Sequence, residues 1–275
     1  MKKISFQGIS GAYSEQACKN AYPEYQPIAC NSFYEAMNMV ESGECELAMI
    51  PLENSTAGRV EEIYRLIPKL KLHVIGEHYE EVNHALIGIK GAKIEDLKCV
   101  GSHPQALAQC HENIQRLGLN MVAKFDTAGA AKDLSIMKDK TKAAIASKLA
   151  AEIYDLEVLI EHFEDLKGNM TRFFVLSKEN RVPKFQKDKG YITSLIFELR
   201  NIPASLYKAL GGFATNGINL LKIESYMHFR DRRSRFHVDI DAHIDENRVK
   251  LALEELNFFA ENIKILGVFE QKRVD

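Results

Sequence analysis

The segment KISFQGISGAYSEQA, from Lys3 to Ala17, indicates the fold class, because it joins a short β-rich run, a small-residue turn and a helical pattern. Gly8 and Gly11 occupy the turn, and the apolar residues after them adopt the three- and four-residue spacing of a helix. The same unit recurs in LAMIPLENSTAGRVEEI, KCVGSHPQALAQC, VAKFDTAGAAKDL and KAAIASKLAAEI. Alternating strands and helices predict an α/β protein whose parallel sheets carry helices on their faces.

Small polar residues at these turns are typical of helix N-caps. Ser102 stands before Pro104, which the first turn of a helix tolerates well; Asp126 or Thr127 caps the next helix, and Ser147 the last. Ordinary capping explains each turn by itself. Helix starts also carry partial positive charge and unpaired N–H donors, so several of them facing one cleft favour a small carboxylate as ligand.

The bulk composition indicates a globular protein with at least two packing units, since the chain has 275 residues, 46% of them apolar. Its 36 Lys and Arg balance 38 Asp and Glu, which argues against nucleic acid and membrane surfaces as partners. The start MKKISFQG lacks a signal-peptide core, and no apolar run approaches the roughly 18 residues of a membrane helix. The five scattered cysteines fit reduced thiols. We therefore expect a cytoplasmic protein.

No metal or nucleotide site is predicted. His103, His111 and the pair His78 and His84 lack a ligand spacing such as H-E-x-x-H, and we interpret them as hydrogen-bonding core or cleft residues. GGFATNG does not match G-x-G-x-x-G, and nothing assigns a base to a Ser or Cys nucleophile. We expect no cofactor.

Two long extended stretches, residues 70–89 and 156–176, interrupt the strand–helix rhythm and carry polar residues in their middles. Such stretches are typical of chain crossings between two lobes. We therefore predict a first lobe made of residues 1–79 and 165–178, a second lobe made of residues 80–164, and a cleft along the crossings.

The composition changes after residue 178. Residues 179–190, in the polar stretch KENRVPKFQKDKG, are typical of a linker. The patterns of residues 191–275 then follow the order βαββαβ, which is the ferredoxin-like arrangement. An open sheet of this size favours edge-to-edge pairing with another chain.

The segment GNMTRFFVL places Asn169, Thr171 and Arg172 where a Gly168 turn enters an apolar strand. A threonine hydroxyl and a guanidinium held there would suit a proton-donating and carboxylate-binding role. By themselves, however, the residues favour the simpler interpretation of a β-forming threonine and a surface arginine.

Six motifs in order, GISGAYSEQA, PLENSTAGRV, SHPQALAQC, DTAGAA, AAIAS and GNMTRFFVL, closely resemble the prephenate dehydratase family. The tail with INLLKIES resembles the ACT regulatory domain that follows in that family. The resemblance implies a two-lobed, periplasmic-binding-protein-like α/β catalytic domain plus an α+β ACT domain, in the monofunctional form. It also implies the decarboxylating dehydration of prephenate to phenylpyruvate in L-phenylalanine biosynthesis.

The resemblance assigns the essential role to Thr171, whose hydroxyl would donate a hydrogen bond to the departing ring oxygen. We expect Arg172 to grip the surviving carboxylate and Phe173 or Phe174 to wall the ring pocket. His103 is a second candidate proton donor, although at its ordinary pKa it would be mostly neutral. The expected substrate-binding residues are Asn54, Ser55, Ser102, His103, Gln105, Thr127 and Asn169.

In the family the ACT domain binds phenylalanine at a dimer interface, which gives feedback inhibition. Its two usual motifs, Pro-Gly-Ala-Leu and Glu-Ser-Arg-Pro, are altered in this chain, where Ala204 replaces a glycine and Tyr226 an arginine. These changes leave the strength and sign of the phenylalanine effect open. The expected phenylalanine-binding residues are Ala204, Ser205, Leu206, Asn219, Leu220, Glu224 and Ser225.

Two alternatives stay open at this point. Arogenate dehydratase is one, because arogenate differs from prephenate only in an amino group in place of the keto group. A two-lobed small-anion sensor without catalysis is the other. We expect a homodimer or homotetramer formed through the ACT domains.

Overall fold

The computed structural model describes residues 1–69, 71–228 and 233–272. Leu70, which begins the first predicted crossing, and the last three residues of the predicted tail domain lie outside the described residues. The Cα positions form two compact units: residues 1–60 with 78–173, and residues 61–77 with the chain from 174 onward. The predicted domain limits themselves stay a prediction.

Strands and helices alternate along most of the chain. The strands are, in chain order, β1 (Lys3–Gln7), β2 (Gln26–Cys30), β3 (Leu47–Asn54), β4 (Gly58–Arg59), β5 (His73–Glu81), β6 (Ala85–Gly88), β7 (Cys99–Ser102), β8 (Asn120–Ala123), β9 (Lys142–Ala146), β10 (Glu157–Ile160), β11 (Met170–Ser177), β12 (Tyr191–Leu199), β13 (Leu220–His228), β14 (Arg233–Asp241) and β15 (Ala260–Glu270). The α-helices are α1 (Tyr13–Ala21), α2 (Phe33–Ser42), α3 (Glu61–Leu66), α4 (Pro104–Gln109), α5 (His111–Arg116), α6 (Thr127–Met137), α7 (Lys148–Ile153), α8 (Ser205–Thr215) and α9 (Asn247–Phe259).

The first sheet has the strand order β2-β1-β3-β11-β5, with β4 paired to β3. β1 runs parallel to both β2 and β3, as the sequence predicts. Ile4 and Phe6 of β1 are fully buried, which explains why this short apolar run forms a central strand. The turn to α1 needs Gly11, because its φ is +88° and an added Cβ would lie 2.8 Å from the Cα of Ala150.

The second sheet has the strand order β10-β6-β9-β7-β8. β7 runs parallel to β8 and β9, as predicted for strands joined through helices. β6 and β10 are antiparallel to their neighbours, so the prediction of fully parallel sheets is wrong for them. The chain enters the second sheet from β5 through β6 and leaves it through β10 on its way to β11. Neither β6 nor β10 is therefore connected by a strand–helix–strand unit to the strand beside it in the sheet.

The C-terminal sheet has the strand order β13-β14-β12-β15, and its elements follow the sequence β12-α8-β13-β14-α9-β15. This βαββαβ order confirms the predicted ferredoxin-like fold. Phe197 and Val238 of the sheet pack with Phe213 of α8 and Leu256 of α9 in one buried apolar cluster. In the described part of the chain, no helix is long and apolar enough to cross a membrane.

The helix starts differ from the prediction at one position. Asp126 and Ser147 cap α6 and α7, but the N-cap of α4 is His103, whose Nδ1 accepts the N–H of Gln105 at 3.2 Å. Ser102 instead ends β7, fully buried, and donates to the carbonyl of Ile145 at 2.6 Å. The prediction was wrong by one residue because Ser is the commoner cap in general, whereas here the strand extends through Ser102.

Candidate active site

A cavity of about 480 Å³ lies in the first unit and is bordered by residues of both of its sheets. This volume is in the usual range for small-molecule sites. Among the predicted residues, those that line the cavity are Asn54, His103, Gln105, Thr127, Asn169, Thr171 and Phe173.

In the hydrogen bond between Thr171 and Asn54, it is fixed which group donates and which accepts. Asn54 donates from Nδ2 to the Oγ1 of Thr171 at 2.9 Å. The Oδ1 of Asn54 accepts the backbone N–H groups of Thr56 at 3.0 Å and Ala57 at 2.9 Å, and because a backbone N–H can only donate, the amide cannot be turned around. The oxygen of Thr171 is therefore an acceptor toward Asn54, and its own hydrogen remains for a group in the cavity.

Phe173 lines the cavity, while the next residue, Phe174, packs edge-on against Phe269 in the second unit at 6.3 Å between ring centroids. This difference follows from the alternation of side chains along β11. Phe173 is therefore the phenylalanine placed to wall the cavity.

The expectation that Arg172 grips a substrate carboxylate is not supported and needs correction. Arg172 is buried, does not line the cavity, donates to Glu53 Oε1 at 3.4 Å and lies over the ring of Tyr79 at 6.0 Å. Strand alternation explains this, because neighbours on one strand point to opposite faces and Thr171 takes the cavity face. Arg172 therefore braces the strand that carries Thr171.

Ser55 and Ser102 also lie outside the cavity lining, so their predicted substrate contacts are not supported. Ser55 instead bonds to the backbone of Met170 twice, through its N–H at 2.8 Å and through its Oγ, which accepts the Met170 N–H at 3.0 Å. Both serines use their hydroxyls to hold strands together.

Tyr13, His84 and Gln109 line the cavity but were not predicted as site residues. The hydroxyl of Tyr13 lies 2.7 Å from Nδ1 of His84, and Nε2 of His84 lies 2.8 Å from Oε1 of Gln109. Burial lowers the pKa of His84 below its ordinary value. A signal existed for Gln109, since it follows Gln105 by four residues and therefore shares its helix face.

Two charged residues, Asp126 and Arg59, line the cavity. Asp126 uses its Oδ1 to cap the N–H of Gly129 at 2.5 Å. Arg59 lies opposite Glu53 in the β3–β4 pairing. The rest of the lining consists of apolar groups, neutral polar groups and two histidines, so Arg59 is the guanidinium that this lining offers to an anion.

The start of α1 borders the cavity. α1 begins with Tyr13 and Ser14, which both line the cavity, and it has no side-chain cap. Its first turn carries the buried carboxylate of Glu15, which accepts the N–H of Gly11 at 2.7 Å, as the start of α6 carries that of Asp126. The N–H groups of Tyr13 and Ser14 are therefore the donors that α1 offers to a ligand.

The predicted effector residues lie at the start of α8 and along β13. Ala204 precedes α8 in the left-handed conformation, with φ of 60° and ψ of 19°. Asn219 accepts the N–H of Asp241 at 2.9 Å through its carbonyl oxygen, just before β13 begins. The remaining residues are Ser205 and Leu206 in α8 and Leu220, Glu224 and Ser225 in β13.

These features define a class: a two-lobed α/β protein with a small-molecule cavity, followed by a ferredoxin-like βαββαβ region. Residues 4–181 match the family model described as Prephenate dehydratase. The chain belongs to the prephenate dehydratase family, and its enzyme class is that of a carbon–oxygen lyase.

Similar proteins carry names of the same family. The chain is 42% identical to a bifunctional N-acyl-homoserine lactone acylase/prephenate dehydratase of Komagataeibacter europaeus, over 97% of this chain and 95% of that one. It is 40% identical to arogenate dehydratase/prephenate dehydratase 1 of Arabidopsis thaliana, over 97% of this chain and 71% of that one. The solved prephenate dehydratase of Arthrobacter aurescens in complex with L-Phe is 27% identical with a TM-score of 0.88, over 98% of this chain and 90% of that one.

Proposed function

We propose that the chain converts prephenate to phenylpyruvate, with Thr171 assisting the departure of the ring hydroxyl. The observation that carries this proposal is the Asn54 amide, which leaves the hydrogen of the Thr171 hydroxyl directed to a group in the cavity. A hydrogen bond to an oxygen that gains negative charge strengthens as the carbon–oxygen bond breaks.

The bond changes balance without a cofactor. The pair of electrons of the bond between the ring and its carboxylate becomes a ring π bond, and CO₂ leaves. The bond between the ring and its hydroxyl breaks with its electrons on oxygen, which accepts a hydrogen bond from Thr171, takes up a proton from the solvent and leaves as water. The gain of an aromatic ring drives the reaction, so the protein needs only to orient the substrate and to supply one hydrogen-bond donor.

The charges of the lining bear on the decarboxylation. A strong ion pair to the departing carboxylate would stabilise the reactant and oppose its loss as CO₂. Arg59 lines the cavity, so the proposal places the surviving carboxylate toward this guanidinium and the departing carboxylate away from it. The start of α1 at Tyr13 and Ser14 is a second proposed contact for the surviving carboxylate, through backbone N–H groups.

Incubation with prephenate at mildly alkaline pH, followed by strong alkali and measurement of the phenylpyruvate enolate absorbance, tests the proposal. Thr171→Val supplies the background rate. Turnover of arogenate but not prephenate would favour arogenate dehydratase. Binding of prephenate in calorimetry without turnover of either compound would favour the small-anion sensor.

Feedback regulation by L-phenylalanine through an ACT domain is the regulatory part of the proposal. It is supported by the βαββαβ fold and by the relative solved with L-Phe. Tyr226, which replaces the arginine of the usual motif, packs edge-on against Tyr64 at 5.8 Å within the second unit. It therefore supplies no charge to a ligand, and we expect a weaker phenylalanine response, measured as turnover with and without added phenylalanine.

Homodimerisation through the edge strand β13 completes this proposal. Leu221 and Ile223 of this strand are 42% and 44% exposed, although both are apolar. Antiparallel pairing of two copies along β13 would cover both side chains. Light scattering should show a dimer or tetramer, and Ile223→Glu should shift it toward the monomer.

Hydrolysis of N-acyl-homoserine lactones is a second candidate activity. It is favoured by the name of the Komagataeibacter relative and by a second cavity of about 460 Å³. This second cavity shares Gln105 and Gln109 with the first, and Ala108 and Leu166 line it together with three acidic residues, Glu112, Glu164 and Asp165. If the wild type releases homoserine lactone from an N-acyl-homoserine lactone and Ala108→Phe does not, this second activity is supported. If the wild type releases none, the activity is excluded.

A further inference from the structure

A continuous chain of hydrogen bonds leads from Asn54 to Tyr13. Nδ2 of Asn54 lies 2.6 Å from Oδ1 of Asn169, and Nδ2 of Asn169 lies 3.3 Å from Oε1 of Gln109. The same Gln109 oxygen lies 2.8 Å from Nε2 of His84, whose Nδ1 lies 2.7 Å from the hydroxyl of Tyr13. The reaction proposed above uses only the Asn54 end of this chain.

The direction of these bonds follows from the first member. The Oδ1 of Asn54 is held by two backbone N–H groups, so the nitrogen of this amide must face Asn169. An amide nitrogen donates only, so Asn169 presents its oxygen to Asn54 and its nitrogen to Gln109. Gln109 therefore presents Oε1 to Asn169 and donates from Nε2 to Oγ1 of Thr56 at 2.6 Å, which agrees with this direction.

The same reasoning sets the tautomer of His84. Because Oε1 of Gln109 only accepts, His84 must carry a hydrogen on Nε2. Burial lowers the pKa of His84, so the ring is neutral at pH 7 and its Nδ1 has no hydrogen. Tyr13 is the donor at that nitrogen, in competition with the carbonyl of Asn83, which lies 2.9 Å from the same hydroxyl.

We propose that Tyr13 is a positioning residue for the dehydration. Its hydroxyl holds His84 as the Nε2–H tautomer, and Gln109 and Asn169 then place the oxygen of Asn169 where it accepts one hydrogen of the Asn54 nitrogen, which leaves the other hydrogen for Thr171. Tyr13 thus acts on the reacting hydroxyl through four other side chains. This inference rests on the proposed function, because it takes Thr171 as the donor to the departing oxygen.

Tyr13→Phe tests the inference, because it removes the hydroxyl and little else. We expect kcat to fall about 10-fold with little change in KM, since one hydrogen bond of the chain is lost; a factor of 10 corresponds to about 1.4 kcal/mol. The matched control is Tyr25→Phe, which removes another part-buried, hydrogen-bonded tyrosine hydroxyl, 3.0 Å from Oε1 of Glu46 and outside the cavity lining. The control should keep the wild-type kcat.

A second readout is independent of turnover. Nitrogen-15 NMR of the histidine side chains, with the His84 signal assigned by its loss in His84→Gln, should show the Nε2–H tautomer in the wild type and in Tyr25→Phe. Tyr13→Phe should show a mixture of tautomers. A merely structural role of Tyr13 would lower stability without this change in the spectrum.

Three results would overturn the inference. A wild-type His84 protonated on Nδ1 would contradict the direction of the chain, even where Tyr13→Phe fails to fold. An unchanged tautomer in Tyr13→Phe, or a changed tautomer with unchanged kcat, would remove Tyr13 from this role. Full activity of Thr171→Val is a different failure, because it contradicts the proposed function and leaves the His84 spectrum as it is.

Discussion

The amide nitrogen of Asn54 lies 2.9 Å from the hydroxyl oxygen of Thr171, and two backbone N–H groups prevent that amide from turning around. One asparagine thereby decides which way the proton of a threonine points. The cavity needs no strong acid, because the reaction ends in an aromatic ring and a directed weak donor is sufficient.

Replacing Thr171 by valine should lower kcat by roughly 10²- to 10⁴-fold, the usual contribution of a positioned proton donor. KM should change only a few-fold, because valine keeps the shape of the side chain. Steady-state kinetics with prephenate and thermal unfolding check this. Thr193→Val is the matched control, since it removes a hydroxyl that bonds Ala242 at 2.8 Å in the C-terminal sheet. A Thr171→Val enzyme with wild-type kcat would take this residue out of the mechanism.

Asn54→Asp should lower kcat nearly as much, although the side chain keeps its shape. A carboxylate only accepts, so the hydroxyl of Thr171 would donate to it and no longer to the substrate. The exposed Asn31→Asp makes the same chemical change elsewhere and should leave kcat unaltered. Equal turnover in Asn54→Asp and the wild type would show that the direction of this hydrogen bond is irrelevant.

Arg172→Met should lower the free energy of unfolding by roughly 1–2 kcal/mol, because it removes a buried guanidinium from Glu53, whose carboxylate is 30% exposed and so keeps part of its hydration. KM for prephenate should stay within a few-fold of the wild type, since Arg172 does not line the cavity. Chemical denaturation and kinetics measure the two quantities, with the exposed Arg116→Met as control. A KM raised about 100-fold at unchanged stability would instead restore the carboxylate-gripping role.

Ala204→Gly should raise the free energy of unfolding by up to about 1 kcal/mol. An alanine at φ of 60° bears a steric cost of roughly 1–2 kcal/mol, and the greater freedom of glycine in the unfolded chain offsets part of it. Ala214→Gly, at an exposed position within α8, should instead lower the free energy of unfolding. Destabilisation by both substitutions would contradict the strain at Ala204.

The free energy of unfolding should decrease as the pH is lowered through the range in which the protonation of His84 differs between the folded and the unfolded protein. Burial lowers the pKa of His84 in the folded protein, whereas the unfolded chain titrates near about 6.5. Below that pH the unfolded state binds more protons, so the free energy of unfolding decreases as the pH falls until the folded ring is also protonated. Urea denaturation at pH 7.5, 6.5 and 5.5 should show that the free energy of unfolding decreases less steeply with falling pH in His84→Gln than in the wild type. Equal pH dependence of the two proteins would show that His84 is not its cause.

Local patterns were sufficient for much of the fold. The stretch Lys3–Ala17 and its repeats predict strand–helix units, because apolar spacing is a property of neighbouring residues. The caps Asp126 and Ser147 follow from the same local chemistry. The βαββαβ order of the tail was equally predictable, since each element is long enough to show its period.

Arg172 shows where local reasoning failed. It adjoins Thr171 in sequence, which suggested a shared site, yet strand alternation separates the two side chains to opposite faces. Its partner Glu53 lies 119 residues away, so no motif announces the pair. The same holds for His84, which reaches Tyr13 across 71 residues.

The kinds of elements, their order, the family motifs and the position of Thr171 at the start of an apolar strand all follow from the amino-acid sequence. Which side chains share the cavity, and in which direction their hydrogens point, follows from the folded chain. A hydrogen bond depends on the distance between its two groups and on the donor or acceptor nature of its partner. For Thr171 that partner, Asn54, lies 117 residues away along the chain and meets it only when β3 and β11 lie side by side.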